Sequence, residues 1–89
     1  MEHSREVRIV NKYGLHARPA AEFVKLANKF SSEVWVAKDD VVVSGKSIMG
    51  VMMLAAEYGS MITIRSVGED AESAVNALCD LVSSRFGEE

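Results

Sequence analysis

The sequence predicts an α+β domain, an open-faced β-sandwich in which a four-stranded antiparallel sheet is covered on one face by three helices. The hydrophobic period switches repeatedly between that of a strand and that of a helix, in the order βαββαβα, with turn residues at the changes. Four strands present an apolar face that needs cover, and three helices supply it. The length of 89 residues suits one domain spanning residues 1–89.

The first half of the chain predicts a strand, a helix and a hairpin. Residues 6–10 alternate polar and apolar side chains, as a half-buried strand does. Residues 17–30 repeat apolar side chains at helical spacing and predict an amphipathic helix. Residues 33–37 and 41–44 are rich in β-branched side chains and flank a Lys-Asp-Asp turn, which favours two antiparallel strands.

The second half predicts a short helix, a strand and a final helix. Residues 47–54 are too few for a long helix, and a Tyr-Gly-Ser turn follows them. Residues 61–67 alternate as a strand. Apolar side chains at helical spacing then run as far as Phe86, in a helix that we expect Asp70 to cap and Gly87 to end.

Composition excludes several classes of function. The formal net charge is −3 and the basic residues are scattered, so we expect no nucleic-acid or anionic-membrane binding. The start of the chain has no apolar run typical of a signal peptide or membrane span, which indicates a cytoplasmic protein. Cys79 is alone and is expected to be a buried apolar residue, and His3 is expected in a frayed terminus. No zinc pattern is present, so neither a metal nor a cofactor is expected.

The motif GLHARPA places His16 at the predicted N-cap of the first long helix and Arg18 in its first turn. Both are poor choices for stability, because N-caps favour Ser, Thr, Asp or Asn and a cation opposes the helix dipole. A helix N-terminus with free backbone N–H groups, here those of Ala17 and Arg18, is a suitable anion site. Arginine grips phosphate bidentately, and a neutral histidine nitrogen can attack phosphorus. Pro19 fits, because an N–H is dispensable there. The alternative is a solvated histidine beside a solvated arginine.

A second motif, Gly45-Lys46-Ser47, invites a nucleotide-binding interpretation that the sequence rejects. A phosphate-binding loop needs glycine where this chain has Asp40. Ser47 is a good N-cap for the short helix whether or not it is modified. A hydrolase using Ser47 with His16 and an acidic partner is a further hypothesis, but the Gly-x-Ser-x-Gly pattern of a nucleophile elbow is absent.

Together, GLHARPA and GKSIMGVMMLAA resemble the histidine-containing phosphocarrier (HPr) family of the phosphoenolpyruvate-dependent phosphotransferase system. The resemblance covers essentially the whole chain and implies an open-faced β-sandwich. It implies a carrier, not an enzyme, in which His16 accepts a phosphoryl group on Nδ1 from Enzyme I and passes it to a IIA-type domain. It also implies that Arg18 steadies the phosphate. Ser47 matches the serine that HPr kinase/phosphorylase modifies where that enzyme exists.

The resemblance also implies a partner-binding surface on the short helix. Methionine side chains suit a surface that adapts to several partners. Five side chains are expected to bind partners, namely Ala21, Val24, Ile48, Met49 and Met52, although Val24 also fits the core stripe of the first helix. The remaining large apolar side chains of the short helix, Val51, Met53 and Leu54, are expected in the core. We expect the protein to be a monomer.

Two alternatives within the resemblance remain open. One is a member of the nitrogen-related branch rather than a sugar-transport carrier. The other is a purely regulatory module that acts through protein contacts rather than through phosphoryl transfer. Asp39-Asp40 replaces the Asn-Gly-like turn of some members, which leaves the choice of kinase and IIA domain open.

Overall fold

A computed structural model describes residues 1–88, and its elements follow the predicted order. The four strands are β1 Glu2–Arg8, β2 Glu33–Lys38, β3 Val41–Ser44 and β4 Met61–Val67. The three helices are α1 Ala17–Ala27, α2 Ile48–Met53 and α3 Ala71–Ser83, and a single turn spans Arg85–Gly87. The sheet has the strand order β1-β4-β2-β3, with every neighbouring pair antiparallel. The predicted fold class is confirmed.

The core lies between one face of the sheet and the helices. Alternate side chains of β2 and β4 point toward the helices, so Val34, Val36, Ile62 and Ile64 are buried. The helices contribute side chains at helical spacing that include Phe23, Val75 and Leu78. This layer fixes the position of the loops at the ends of the helices.

The other sheet face is uncovered in the described part of the chain. Trp35 lies on this face between the buried Val34 and Val36, and it pairs with Arg65 of β4 and Ser44 of β3. Val42 of β3 is 62% exposed on the same side. The sandwich therefore has one apolar interior and one face available to solvent.

The predicted bounds of β1 and the predicted end of α1 are wrong. β1 begins at Glu2 and ends at Arg8, instead of spanning residues 6–10, because pairing with β4 orders polar residues that show no alternation. His3 is consequently paired with Ser66 and does not lie in a frayed terminus. α1 ends at Ala27, short of the predicted residue 30, and the side-chain amide of Asn28 bonds back to the carbonyl of Val24 at 2.9 Å.

Asp70 is the N-cap residue of α3, as predicted, but its side chain forms no capping hydrogen bond to that helix. Its carboxylate accepts hydrogen bonds from the N–H groups of Ser31 (3.0 Å) and Ser32 (2.9 Å) and from the Ser32 hydroxyl. The Ser32 hydroxyl and the Ser31 N–H are the chief causes that lower the pKa of Asp70 to about 2. Asp70 thus ties the loop after α1 to the start of α3.

The end of α3 also differs from the prediction. The helix stops at Ser83 rather than near Phe86, because Arg85 and Phe86 adopt positive φ angles of 62° and 54°. Such angles cannot continue a right-handed helix, so the chain turns away. Cys79 is buried in α3 as predicted, and burial raises the pKa of its thiol.

Candidate functional site

His16 is the residue immediately before α1, as the sequence predicts. Its backbone is extended, and its carbonyl accepts the first helical hydrogen bond from the Ala20 N–H at 2.9 Å. Its side chain forms no capping hydrogen bond. The amide groups of Ala17 and Arg18 precede that first helical bond, and Pro19 has no N–H to offer. Within residues 1–88, neither of these two amides donates a hydrogen bond, so both are available to bind an anion at the helix N-terminus.

Gly14 shapes the loop that delivers His16 to this position. Its φ is +69°, which favours glycine, and a Cβ there would collide with the carbonyl oxygen of Ala56. The close approach lets the Leu15 N–H donate to the same Ala56 oxygen at 2.8 Å. Because Ala56 follows α2, the hydrogen bond fixes the histidine loop beside the end of that helix.

The His16 ring is partly exposed and contacts two side chains. Its Nε2 atom lies 3.1 Å from Oε2 of Glu88, and 40% of the histidine side chain is exposed. The Tyr13 ring meets the imidazole edge to face, with a centroid separation of 6.2 Å. Sequence reasoning missed Glu88, because it lies 72 positions away in a segment that carries no motif.

Arg18 is exposed in the first turn of α1. It forms no hydrogen bond or ion pair with any residue from 1 to 88. No acidic residue stands in the first turn of the helix to offset its charge. The guanidinium is therefore free to bind an external anion beside His16.

Ser47 is the N-cap of α2, as the sequence predicts. Its Oγ accepts a hydrogen bond from the Gly50 N–H at 3.0 Å, which satisfies one of the free amides of the helix start. α2 packs against α1 and β3. Ser47 and His16 therefore begin two neighbouring helices.

An exposed apolar patch, called here the α2 patch, consists of Ile48, Met49, Met52 and Met53. The exposure predicted for the first three is confirmed, and Met49 is 72% exposed. The burial predicted for Met53 is wrong, since 70% of this residue is exposed. Val51 and Leu54 face the core three positions apart, and helical geometry turns Met53 to the opposite side.

The two α1 residues predicted to extend the partner surface differ in exposure. Val24 is only 7% exposed and belongs to the core stripe, so its assignment to an exposed surface is wrong. Ala21 is half-buried on the adjoining face. The exposed apolar surface beside the histidine loop is accordingly carried by α2.

The described residues show neither a metal cluster nor a membrane span. In residues 1–88, no group of three or more His, Cys, Asp or Glu side chains is arranged to hold a metal ion. Over the same range, every helix is too short or too polar to cross a bilayer. What the site offers to a ligand is thus a histidine, an arginine and backbone amides.

Comparison with known proteins gives a family. A family model described as the PTS HPr component phosphorylation site matches residues 3–84. The chain belongs to the HPr phosphocarrier family. A phosphocarrier protein HPr from Neisseria meningitidis serogroup A is 50% identical over 84 residues, which is 94% of each chain. The solved structure of HPr from Thermoanaerobacter tengcongensis superposes with a TM-score of 0.94 at 50% identity and covers 98% of both chains.

HPr proteins are phosphocarriers of the phosphotransferase system and not enzymes, and this describes the present chain. The family also includes proteins with the name NPr. The phosphocarrier protein NPr of Shewanella violacea is 39% identical over 84 residues, covering 94% of this chain and 92% of its own. Proteins with either name therefore match nearly the whole of this chain.

Proposed function

We propose that the chain carries a phosphoryl group on His16, receiving it from Enzyme I and delivering it to a IIA-type domain. The observation that supports this best is the position of His16 directly before α1, where the Ala17 and Arg18 amides have no helical partner. The exposed Arg18 guanidinium adds a second source of positive charge. Family membership supports the same role.

In this proposal the neutral Nδ1 atom of His16 attacks the phosphorus of a phosphohistidine on Enzyme I. A bond forms between Nδ1 and phosphorus as the bond to the donor nitrogen breaks, and the electron pair returns to the donor ring. The amides of Ala17 and Arg18 and the Arg18 guanidinium would then neutralise charge on the phosphoryl oxygens. A histidine of a IIA-type domain then attacks the phosphorus on His16, and the bond to Nδ1 breaks as the phosphoryl group is transferred.

The direct test is phosphorylation in a purified system. The protein is incubated with phosphoenolpyruvate, Mg²⁺ and Enzyme I, and its intact mass is measured. We expect one added phosphoryl group that is lost in acid, as a phosphoramidate is, and that moves to a IIA-type domain when one is added. Absence of the adduct in the presence of active Enzyme I would contradict the proposal.

Arg18 is expected to contribute to transfer rather than to folding. Arg18→Lys keeps a charge but loses the bidentate fork, so we expect kcat/KM with Enzyme I to fall about tenfold, the effect of one charge-assisted hydrogen bond. Arg18→Ala should reduce it further, by about 100-fold. Thermal melts should be unchanged within a few degrees, because the exposed side chain forms no hydrogen bond or ion pair with residues 1–88. If both variants transfer at the native rate, Arg18 is only a solvated charge with no role in transfer.

The α2 patch is proposed as the docking surface for Enzyme I and IIA-type domains. It is apolar, exposed and joined to the histidine loop through the bond between Leu15 and Ala56. Ala21, half-buried on the neighbouring helix α1, is included in the proposed surface. In this proposal the protein is a monomer that presents the patch to its partners.

Met49→Asp tests this surface. A carboxylate at the centre of an apolar interface loses its hydration without gaining a partner, so we expect Kd for Enzyme I to rise about ten- to 100-fold. The matched control is Val42→Asp, which places the same charge at an exposed apolar site on the open sheet face. Calorimetric binding and melting are measured for both. Equal binding by the two variants, or a collapsed melt for Met49→Asp alone, would refute the assignment.

Regulation through Ser47 is proposed on the same geometry. Ser47 begins α2 and immediately precedes Ile48 and Met49, so a phosphate there would lie beside the docking surface. HPr kinase/phosphorylase is the proposed modifying enzyme.

The matching NPr relative favours a second candidate function, that of a carrier in the nitrogen-related branch. Comparing the rates of transfer to sugar-type and nitrogen-type IIA domains decides between the two branches.

A further inference from the structure

The chain after α3 folds back over the loop that holds His16. α3 ends at Ser83, and Arg85, Phe86 and Gly87 all have positive φ angles that reverse the chain direction. Phe86 packs against the core, and the Arg85 Nε group donates to the Val10 carbonyl at 3.3 Å. These contacts place Glu88 beside the functional site, although no sequence motif connects the two.

The Glu88 carboxylate is held by two donors. Oε2 lies 3.1 Å from His16 Nε2, and Oε1 accepts from Asn11 Nδ2 at 3.0 Å. Only 19% of the Glu88 side chain is exposed. Asn11 is completely buried, and its Nδ2 also donates to the Gly14 carbonyl at 2.8 Å. Because the amide lies between two acceptors, its NH₂ group must face both of them, which fixes the carboxylate toward the histidine.

This contact dictates where the histidine proton resides. An ionised carboxylate accepts hydrogen bonds and donates none, so the Nε2 atom of His16 must carry a hydrogen. A neutral imidazole has one N–H group, and its other nitrogen keeps a lone pair. The tautomer favoured by Glu88 therefore leaves Nδ1 as the nucleophilic atom.

We infer that Glu88 is a positioning residue for phosphoryl transfer, fixing the Nε2–H tautomer of His16 and stabilising the charged ring that forms, with Asn11 orienting the carboxylate. The inference rests on the proposed function of His16. When Nδ1 bonds to phosphorus, the ring becomes a phosphoimidazolium that retains its Nε2 proton. The donor phosphoimidazolium leaves as a neutral imidazole, so the transfer needs no net proton movement. The carboxylate faces the proton that carries the new positive charge.

The test combines a tautomer measurement on the free protein with a rate measurement. The full chain without a C-terminal tag is labelled with ¹⁵N, and the His16 ring nitrogens are recorded in alkaline buffer, where the imidazole is neutral. We expect the native ring to be almost entirely Nε2–H and the Glu88→Ala ring to move toward the mixture found for free imidazole. Glu69→Gln is the matched control, because it removes an exposed carboxylate that lies just before α3. Its spectrum should match that of the native protein.

The rate of phosphorylation by Enzyme I should fall in parallel. We expect kcat/KM for Glu88→Ala to drop about fivefold, the upper range for a partly exposed ion pair. The Kd for Enzyme I binding at the α2 patch should not change. Glu88→Gln keeps an acceptor without the charge, so it should retain more of the native tautomer than Glu88→Ala does. These two variants separate orientation from charge.

The outcomes that overturn the inference are specific. Native nitrogen shifts in Glu88→Ala, or a changed tautomer with a native transfer rate, would each reject a positioning role while the native protein still accepts phosphate. If the native protein accepts no phosphate from Enzyme I, the proposed function fails and the inference fails with it. The two failures are therefore distinguishable within one set of samples.

Discussion

Replacing His16 with alanine is expected to reduce Enzyme I-dependent phosphorylation to the background of the assay. The proposed transfer needs a neutral ring nitrogen, and alanine supplies none. The fold should survive, because the His16 backbone carbonyl, not its ring, accepts the Ala20 N–H bond that starts α1. We expect the free energy of unfolding to change by less than about 1 kcal/mol, the usual effect at a cap without a side-chain bond. Intact-mass analysis and a thermal melt on the same sample measure both quantities.

His3 provides the matched control. It is the only other histidine in the chain, and it lies in β1 opposite Ser66, outside the proposed phosphoryl site. His3→Ala should therefore gain one phosphoryl group at the native rate. If acid-labile phosphate persists on His16→Ala, or is absent from His3→Ala, His16 is not the carrier histidine.

Phosphorylation of Ser47 is expected to lower kcat/KM with Enzyme I by about tenfold or more at low salt, with the fold intact. Phosphate adds nearly two negative charges directly before Ile48 and Met49, where docking would remove water from them. The free domain tolerates the charge, because it lies at the positive end of α2. Kinase-treated protein is the best sample, and Ser47→Asp is a weaker substitute. Added salt should screen any repulsion and partly restore transfer.

Two variants separate charge at the docking surface from its other effects. Ser73→Asp introduces an exposed carboxylate into the first turn of α3, where the helix dipole is also favourable, and should leave transfer unchanged. Ser47→Ala removes the bond to the Gly50 N–H without adding charge. It should cost about 1 kcal/mol of stability and leave transfer near native. If transfer to the phosphorylated protein proceeds at the native rate at low salt, Ser47 has only a structural role as the N-cap of α2.

The elements predicted from the sequence were those whose own side chains carry a strong pattern. β2, β3, β4 and the start of α1 all have clear periodicity, and the structure places them where the sequence does. β1 was placed too late because its first residues are polar and are ordered by hydrogen bonds to β4. Asp70 begins α3 as predicted, but local rules also favour a capping bond from its side chain, and its carboxylate instead binds Ser31 and Ser32, which lie 38 or more positions away. Nonlocal pairing overrode local preference in both cases.

The candidate site divides in the same way. His16, Arg18 and Ser47 were predictable, since each breaks or obeys a rule about helix starts that is visible within a few residues. Met53 was misplaced because α2 is broadly apolar, and only the packing decides which of its sides faces the core. Val24 fits both the core stripe of α1 and a partner surface, and the packing buries it. Glu88 was missed, because its contact depends on the chain reversal after α3.

The uncovered face of the sheet provides an optical reporter. Trp35 is the only tryptophan of the chain, and it lies in the sheet layer on the side opposite the helices that begin at His16 and Ser47. Its emission should respond when β2 separates from β3 and β4, and it should stay constant when a partner free of tryptophan binds the helical side. A titration of any variant described above therefore yields two independent signals from one unlabelled sample, indole fluorescence for the integrity of the sheet and heat for binding.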